Sequence, residues 1–234
     1  MIKKKHPFCR ERGPQMKQKQ LASRWLIYIA GMLIQNLGLY LNARCGLGTS
    51  ALLGVAYVLG LRWSVSFGDA TKVIFGVYIL AQFLVRGREG RQWRDLLQLP
   101  VAVFAGEVFN LLDRVVPVAE LQSHMAARVL ALACAVTFNG IGATLAVNMR
   151  LIPSPGDGIV QALADRTHME LGKMKRIADC SCVALAVALS LVLFGRVEGV
   201  GVGTLAAMFG VGKIVSLCNG LFGGRIRAAA GLER

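Results

Sequence analysis

The chain has few charged residues for its length. Only 17% of its 234 residues are Asp, Glu, Lys or Arg, whereas soluble domains carry about 25%. Apolar residues make up 55% of the chain, and the mean hydropathy is +0.54. This scarcity of charge excludes an ordinary soluble globular domain. It is typical of a helical protein that crosses a membrane several times.

Acidic side chains are the scarcer kind: 13 Asp and Glu stand against 27 Lys and Arg, which gives a net charge of +14. Such an excess can indicate a nucleic-acid-binding protein, but the sequence lacks a basic face with interleaved aromatic residues. The Lys and Arg residues instead lie at the ends of apolar runs. We therefore expect no nucleic-acid partner and attribute the basic residues to the positive-inside rule.

Residues that bind metals or catalyse reactions are sparse. The three histidines are scattered, and Cys180 and Cys182 have neither a nearby histidine nor a convincing metal-ligand spacing. The sequence also lacks the HExxH, GxSxG and Walker patterns. We expect no enzyme, no metal and no cofactor, and interpret the cysteines as small apolar residues within helices.

The remaining organisation follows from the long apolar runs. A spanning helix needs about 20 mainly apolar residues. Six runs approach that length: 25–41, 71–85, 96–116, 125–147, 177–194 and 200–222. We predict an all-α, polytopic transmembrane helical bundle of about six spanning helices over residues 25–222.

The predicted membrane domain is flanked by two basic tails, over residues 1–24 and 223–234. The first lacks the pattern of a cleavable signal peptide, so we interpret it as cytoplasmic. Met16 is an alternative start to Met1. With six crossings the basic clusters and both termini lie in the cytoplasm, as the positive-inside rule requires.

Two apolar segments are too short to cross a bilayer. Residues 50–61 follow the sequence CGLGT, and residues 159–164 follow IPSPGDG. We predict two short or re-entrant helices here, because irregular backbone at membrane depth must be buried in protein or line a cavity. An alternative with eight crossings stays open, because its overall distribution of Lys and Arg is similar.

These two segments belong to a weak internal repeat. LNARCGLGTSAL (41–52) aligns with VNMRLIPSPGDG (147–158) at an offset of about 106 residues. Repeat 1 (25–116) and repeat 2 (126–222) then share one order: span, glycine-rich turn, short helix, span, span. Since three crossings is an odd number, we predict that repeat 2 is inverted, which is the layout of many secondary transporters.

The second turn carries the strongest local signal. Pro155 and Gly156 end any continuing helix, Asp157 can cap the next one, and Gly158 permits a close approach. A helix that starts inside a membrane protein directs unpaired N–H groups at its interior, where a solute or ion can bind. A plain helix cap in a cytoplasmic loop is the alternative for Asp157.

Several other polar residues fall within the predicted membrane domain. Glu107 lies mid-span, where a charge is costly, so it is a functional candidate; structural hydrogen bonding or a misplaced span are the alternatives. Asp179 is predicted to pair with Lys175, four residues earlier on the helix. The candidate solute-binding residues are Asn42, Thr49, Ser50, Glu107, Asn148, Pro155, Gly156, Asp157 and Gly158.

Four segments resemble the YczE/YyaS/YitT group of bacterial integral membrane proteins: GLGTSALLGVAYVLG, IPSPGDGIVQALADRT, GKMKRIADCSCVALAVALS and GVGVGTLAAMFGVGKIV. The likeness covers about residues 25–222. It implies a bacterial cytoplasmic-membrane protein and supplies no substrate. The family's usual carboxylate in the first turn is missing here, where Thr49, Ser50 and Ala51 stand.

Together these observations favour a small secondary transporter or permease, with a site for an unidentified small solute between the two repeats. A membrane-embedded accessory or scaffold subunit is the alternative, and would need the same packing but no solute cavity. The expected partners are the lipid bilayer and the solute, and a homo-oligomer is left open.

Overall fold

The computed structural model describes residues 18–90 and 95–232. Over these ranges the chain is helical and contains no strand, so the predicted all-α class is confirmed. The tail up to residue 17 and the end of the basic cluster at 91–94 lie outside the described residues.

The helices follow one another with short connections. They are α1 (Gln18–Arg44), a 3-10 turn (Ala51–Leu53), α2 (Gly54–Trp63), α3 (Phe67–Gly90), α4 (Gln98–Val115), α5 (Val118–Leu121), α6 (Met125–Asn148), α7 (Pro155–Thr167), α8 (Leu171–Phe194) and α9 (Val202–Ala229). Both predicted short segments form short helices, α2 and α7.

Five helices are long and apolar enough to cross a membrane: α1, α3, α6, α8 and α9. The protein is therefore a polytopic helical bundle. The sixth predicted span forms α4, which has only 18 residues. Three of them are the charged residues Glu107, Asp113 and Arg114, so this helix is too polar to count as a span by composition alone.

Several helices extend beyond the predicted bounds. α7 is twice as long as the apolar segment 159–164, and α8 begins six residues before the predicted span at 177. α9 continues to Ala229, so most of the predicted C-terminal tail is helical. There Ala230 is buried, and Ser23 Oγ on α1 donates to the carbonyl of Ala229.

An antiparallel pair of helices, α1 and α6, forms the centre of the bundle. A Cβ atom at Gly38 would lie 2.3 Å from the backbone nitrogen of Asn139, and one at Gly142 would lie 2.3 Å from that of Gln35. Glycine therefore lets the two backbones touch, as small residues do in membrane helix pairs. Because the pair is antiparallel, the turns after α1 and α6 lie at opposite ends of the bundle.

Each short helix packs against a long helix of the other half. Gly54 on α2 faces Ala186 of α8, and Gly158 on α7 faces Gln82 of α3. Such a reciprocal exchange is what a two-fold relation between the halves would produce. The inversion of the second repeat itself stays a prediction.

The beginnings of the two short helices meet inside the bundle. A Cβ atom at Gly156 would lie 2.9 Å from Cδ1 of Leu52. On α3, Tyr78 donates to the carbonyl of Leu52 at 2.8 Å, and Gln82 donates to that of Pro155 at 3.4 Å. These two α3 residues are one turn apart, about 6 Å along the axis. Both turns therefore reach into the protein, as re-entrant segments do.

Candidate functional site

The second turn is a well-capped helix start. Ser154 is the N-cap of α7: its Oγ accepts from the backbone N–H of Asp157 at 3.2 Å and donates to Oδ2 of that residue at 2.8 Å. The cap is therefore Ser154, whereas the sequence favoured Asp157. Asp157 occupies the third helical position, where its negative charge interacts favourably with the helix dipole.

Asp157 also pairs with a lysine. Its Oδ1 lies 3.5 Å from Nζ of Lys175, and both side chains are more than two-fifths exposed. The predicted partner of Lys175 was Asp179, which lies on the same helix and is buried. Asp157 takes its place in the ion pair because the start of α7 lies beside the first turn of α8.

The two glycines of the second turn admit close neighbours. Leu52 packs against Gly156, and Cβ atoms at Gly158 would lie 2.7 to 2.9 Å from the amides of Gln82 and Gln98. These two fully buried glutamines donate to each other at 2.8 and 3.0 Å. Protein side chains therefore fill the space where a ligand was expected.

This glutamine pair was not predicted. Each residue is a polar interruption of an apolar run, and that was the only sequence signal for it. Their pairing depends on how α3 meets α4, which the runs do not reveal.

The first turn is held by its backbone. Thr49 N–H donates to Gly199 O at 2.8 Å, and Gly203 N–H donates to Leu47 O at 2.7 Å. Gly48 has φ +117°, and a Cβ atom there would lie 2.6 Å from the backbone nitrogen of Gly201. Since L side chains rarely adopt this φ, glycine is required at this position.

Polar side chains in the same region are buried without partners. Asn42 is 2% exposed and Thr49 is 1% exposed. Neither amide atom of Asn42, nor Oγ1 of Thr49, has a hydrogen-bond partner among the described residues. Ser50, which precedes the 3-10 turn, makes no side-chain cap bond there. Burial also raises the pKa of the neighbouring Cys45 thiol, so it stays neutral.

Asn148, which the repeat aligns with Asn42, is in contrast fully engaged. Its Nδ2 donates to Thr144 O and to Asn219 Oδ1, each at 2.7 Å, and its Oδ1 accepts from Arg227 at 2.9 Å. It links α6 to α9, as an interhelical hydrogen-bonding role predicts.

The structure does not bring Asn42 and Asn148 together. Gly38 lies against Asn139, so Asn42 lies one turn farther along, near Ala135. That level is about 20 Å from Asn148 along α6. The two residues therefore do not lie together in one site in this structure, because the antiparallel pairing of α1 and α6 separates them.

Glu107 also lies away from the turns. Its side chain is 61% exposed on the surface of α4 and pairs with Lys72 at 2.6 Å. It is about 14 Å along α4 from Gln98, the residue of that helix that contacts the second turn. The structure therefore does not bring Glu107 together with Asp157.

Two cavities lie on outer faces of the bundle. One of about 460 Å³ is apolar and lies between α1, α6 and α9, with Arg225 at its rim. The other, of about 430 Å³, follows α9 alone. No residue of either turn lines them.

Comparison with known proteins places the chain in a family. The model of a family of unknown function, DUF6198, matches residues 22–220. The chain belongs to this family. No curated protein and no solved structure matches it. The match covers both turns, every helix from α2 to α8, and most of α1 and α9. The resemblance to the YczE/YyaS/YitT group stays a prediction.

In this DUF6198 protein, the first turn has the stronger chemistry for binding. An amide side chain carries both hydrogen-bond donors and an acceptor, and a hydroxyl can donate or accept a hydrogen bond. Leaving such groups buried without partners costs about 1–3 kcal/mol each. A polar ligand that reached Asn42 or Thr49 would recover that cost, whereas the second turn already has its partners.

Proposed function

We propose that the protein is a secondary transporter for a small polar solute in the bacterial cytoplasmic membrane. The observation that carries this proposal is the set of buried polar atoms without partners at the first turn, on Asn42 and Thr49. In a membrane protein such groups are rarely retained without a function. No catalytic step is needed.

The arrangement of the short helices supports transport. Both begin inside the bundle, at the contact of Leu52 with Gly156. Helix N-termini directed inward at broken segments are a feature of transporter binding sites. The contact closes the path between the two turns, so this conformation corresponds to a closed state. Relative movement of the two halves would part them.

The chemistry of the first turn suggests a class of solute. Asn42 and Thr49 are uncharged, and the carboxylate found in the second turn has no counterpart here. The solute would therefore be an uncharged molecule, or an uncharged part of one, that carries both hydrogen-bond donors and acceptors.

Uptake into proteoliposomes tests the proposal. A panel of radiolabelled small polar solutes, such as polyols, amides and neutral amino acids, is compared with empty liposomes. We expect uptake of at least one solute, and its loss in Asn42→Ala and Thr49→Val with unchanged protein abundance. Ser50→Ala is the matched control from the same turn and should transport normally. Full uptake in both site variants would contradict the proposed site.

An accessory or scaffold role is the second candidate. It is favoured by the tight packing of the second turn, where Gln82, Gln98 and Leu52 occupy the space beside the glycines. A chain in this role would take up no solute of the panel, and its Asn42 variants would be indistinguishable from wild type.

The proposed orientation places both termini in the cytoplasm, on the side of most basic residues. A cysteine label at Gly90 should then be accessible from the cytoplasm, and one at Pro117 only from outside. The outcome that contradicts this is external labelling at Gly90.

A further inference from the structure

A lysine faces outward at the middle of α9. Lys213 is exposed and has no hydrogen bond or ion pair within 18–90 and 95–232. It lies 11 residues after Val202 and 12 before Arg225, so about 17 Å and 18 Å of helix separate it from these two residues. A lysine side chain reaches about 6 Å, too short to bring the ammonium to either membrane surface.

Such a position is unfavourable in lipid alone. Charged side chains within spanning helices almost always face protein or water and pair with a partner. α9 packs mainly against α6, through contacts such as Gly140 with Ile214, and the Lys213 face is turned away from them. The partner of Lys213 must therefore come from outside the protomer.

A complementary negative charge lies in repeat 1 of the same protein, whereas Lys213 lies in repeat 2. Asp69, Lys72 and Glu107 form one cluster, with Lys72 Nζ 2.5 Å from Asp69 and 2.6 Å from Glu107. Two carboxylates against one ammonium leave a net charge of −1. The two carboxylate side chains are 49% and 61% exposed, so this charge is also on the surface of the bundle.

The two charges lie at similar depth. Ile214, next to Lys213, lies against Gly140 of α6, one residue from the contact between Asn139 and Gly38. Asp113, six residues after Glu107 on α4, pairs with Arg44, six residues after Gly38 on α1. Glu107 therefore lies near the level of Gly38, and the two charges differ in depth by about one helical turn.

The surface around Lys213 can also accept a helix closely. A groove of about 430 Å³ is lined by Lys213, Ser216, Leu217, Gly220 and Leu221. Cβ atoms at Gly212, Gly220 and Gly224 would meet nothing within 4 Å in the described chain. On α4, Gly106 aligns with Gly212 at the repeat offset of 106 residues, and it is instead covered by Lys72 of α3. The Lys213 face of α9 therefore lacks the covering helix that α3 provides for the corresponding face of α4.

We propose that a second copy of this chain covers it. The Lys213 face of α9 in one protomer packs against the α3–α4 face of the other, and Lys213 pairs with Glu107. A two-fold axis along the membrane normal, with the α9 face and the α3–α4 face of each protomer in one interface, would keep both charges at the same depth and form the pair twice, as symmetric dimers do. Each protomer then supplies the charge that the other lacks.

Single-molecule photobleaching in neutral phosphatidylcholine liposomes measures the stoichiometry. The fluorophore is attached at the C-terminus, and protein density is varied. We expect wild type to be dimeric and Lys213→Met to associate about 100-fold more weakly, as when a buried ion pair is broken. Lys213→Arg, which keeps the charge, should remain dimeric. Glu107→Gln should weaken association like Lys213→Met.

A fourth substitution tests the surface without changing charge. Gly220→Leu fills the groove, and a Cβ atom at this position meets nothing within 4 Å among the described residues. Its melting temperature in detergent should therefore match that of Lys213→Arg, while its association weakens. The proposal is overturned if wild type is monomeric at all densities. It is equally overturned if Lys213→Met dimerises like wild type, or if Glu107→Gln has no effect, since the acid would then belong to another protein.

Discussion

The two turns differ in what holds them, although the repeat aligns their sequences. The first is fixed by backbone hydrogen bonds with Gly199 and Gly203. These bonds leave the side chains of Asn42 and Thr49 without partners. The second is fixed by side chains, through Ser154, Asp157 and Lys175. One turn therefore keeps its polar groups available, and the other uses its polar groups for stability. This difference predicts opposite responses to substitution.

The largest effect is expected at the first turn's glycine. Gly48→Ala should destabilise the protein by about 3 kcal/mol or more, because the residue has a φ of +117° and its Cβ would meet the Gly201 backbone. Thermal unfolding in detergent measures this loss of stability. Gly76→Ala is the matched control: its Cβ meets nothing described within 4 Å, and it should be neutral or stabilising by up to about 1 kcal/mol. Equal stability of the two variants would refute the backbone-held turn.

The aligned asparagines give the sharpest contrast. Asn148→Ala should cost about 2 kcal/mol, because it removes bonds to Asn219 and Arg227 and leaves a charged group without its partner. Asn42→Ala should be neutral or stabilising, since it removes an amide without partners. Chemical unfolding of both variants in mixed micelles measures the difference. If Asn42→Ala were the more destabilising, its amide would have a structural partner.

Smaller effects are expected from the two serines. Ser154→Ala should cost about 1 kcal/mol, because Ser154 caps α7. Ser50→Ala should change stability by less than about 0.5 kcal/mol, because Ser50 makes no side-chain cap bond. The melting temperatures of the two variants, measured under the same condition, test this difference in stability. A similar loss in both variants would mean that the first turn is also capped by its side chain.

The smallest effect is expected at the carboxylate of the second turn. Asp157→Asn should cost between about 0 and 1 kcal/mol, because it breaks an exposed ion pair with Lys175 and keeps the Ser154 cap. Lys175→Met should cost a similar amount, and the double variant no more than either. Since the proposed solute site is at the first turn, uptake should survive in all three. Loss of uptake in Asp157→Asn with normal abundance would move the site to the second turn.

The outlines of the helices could be predicted from the sequence, because the length of an apolar run decides whether a segment can cross a bilayer. The run 125–147 corresponds closely to α6, and the run 25–41 lies within α1, which starts seven residues earlier, in the predicted N-terminal tail. Gly158 was also correctly expected to permit a close approach, which the amides of Gln82 and Gln98 make. The polar ends of helices were harder to predict. α8 starts six residues before the predicted span, and α9 continues to Ala229. At the end of α9, contacts near Ala230 stabilise a helix whose residues are not all apolar.

The partners of the polar side chains were decided only by the tertiary structure. Asn42 and Asn148 look equivalent in sequence, yet the side chain of the first lacks partners and that of the second has three, because α9 places hydrogen-bonding side chains only beside Asn148. Glu107 lies near the middle of α4, but the direction of its side chain depends on how α4 packs against α3. Hydrophobicity is a property of each residue and can be read along the chain. A hydrogen bond or ion pair needs two groups within about 3 to 4 Å, and for distant residues only the packing of helices brings them there.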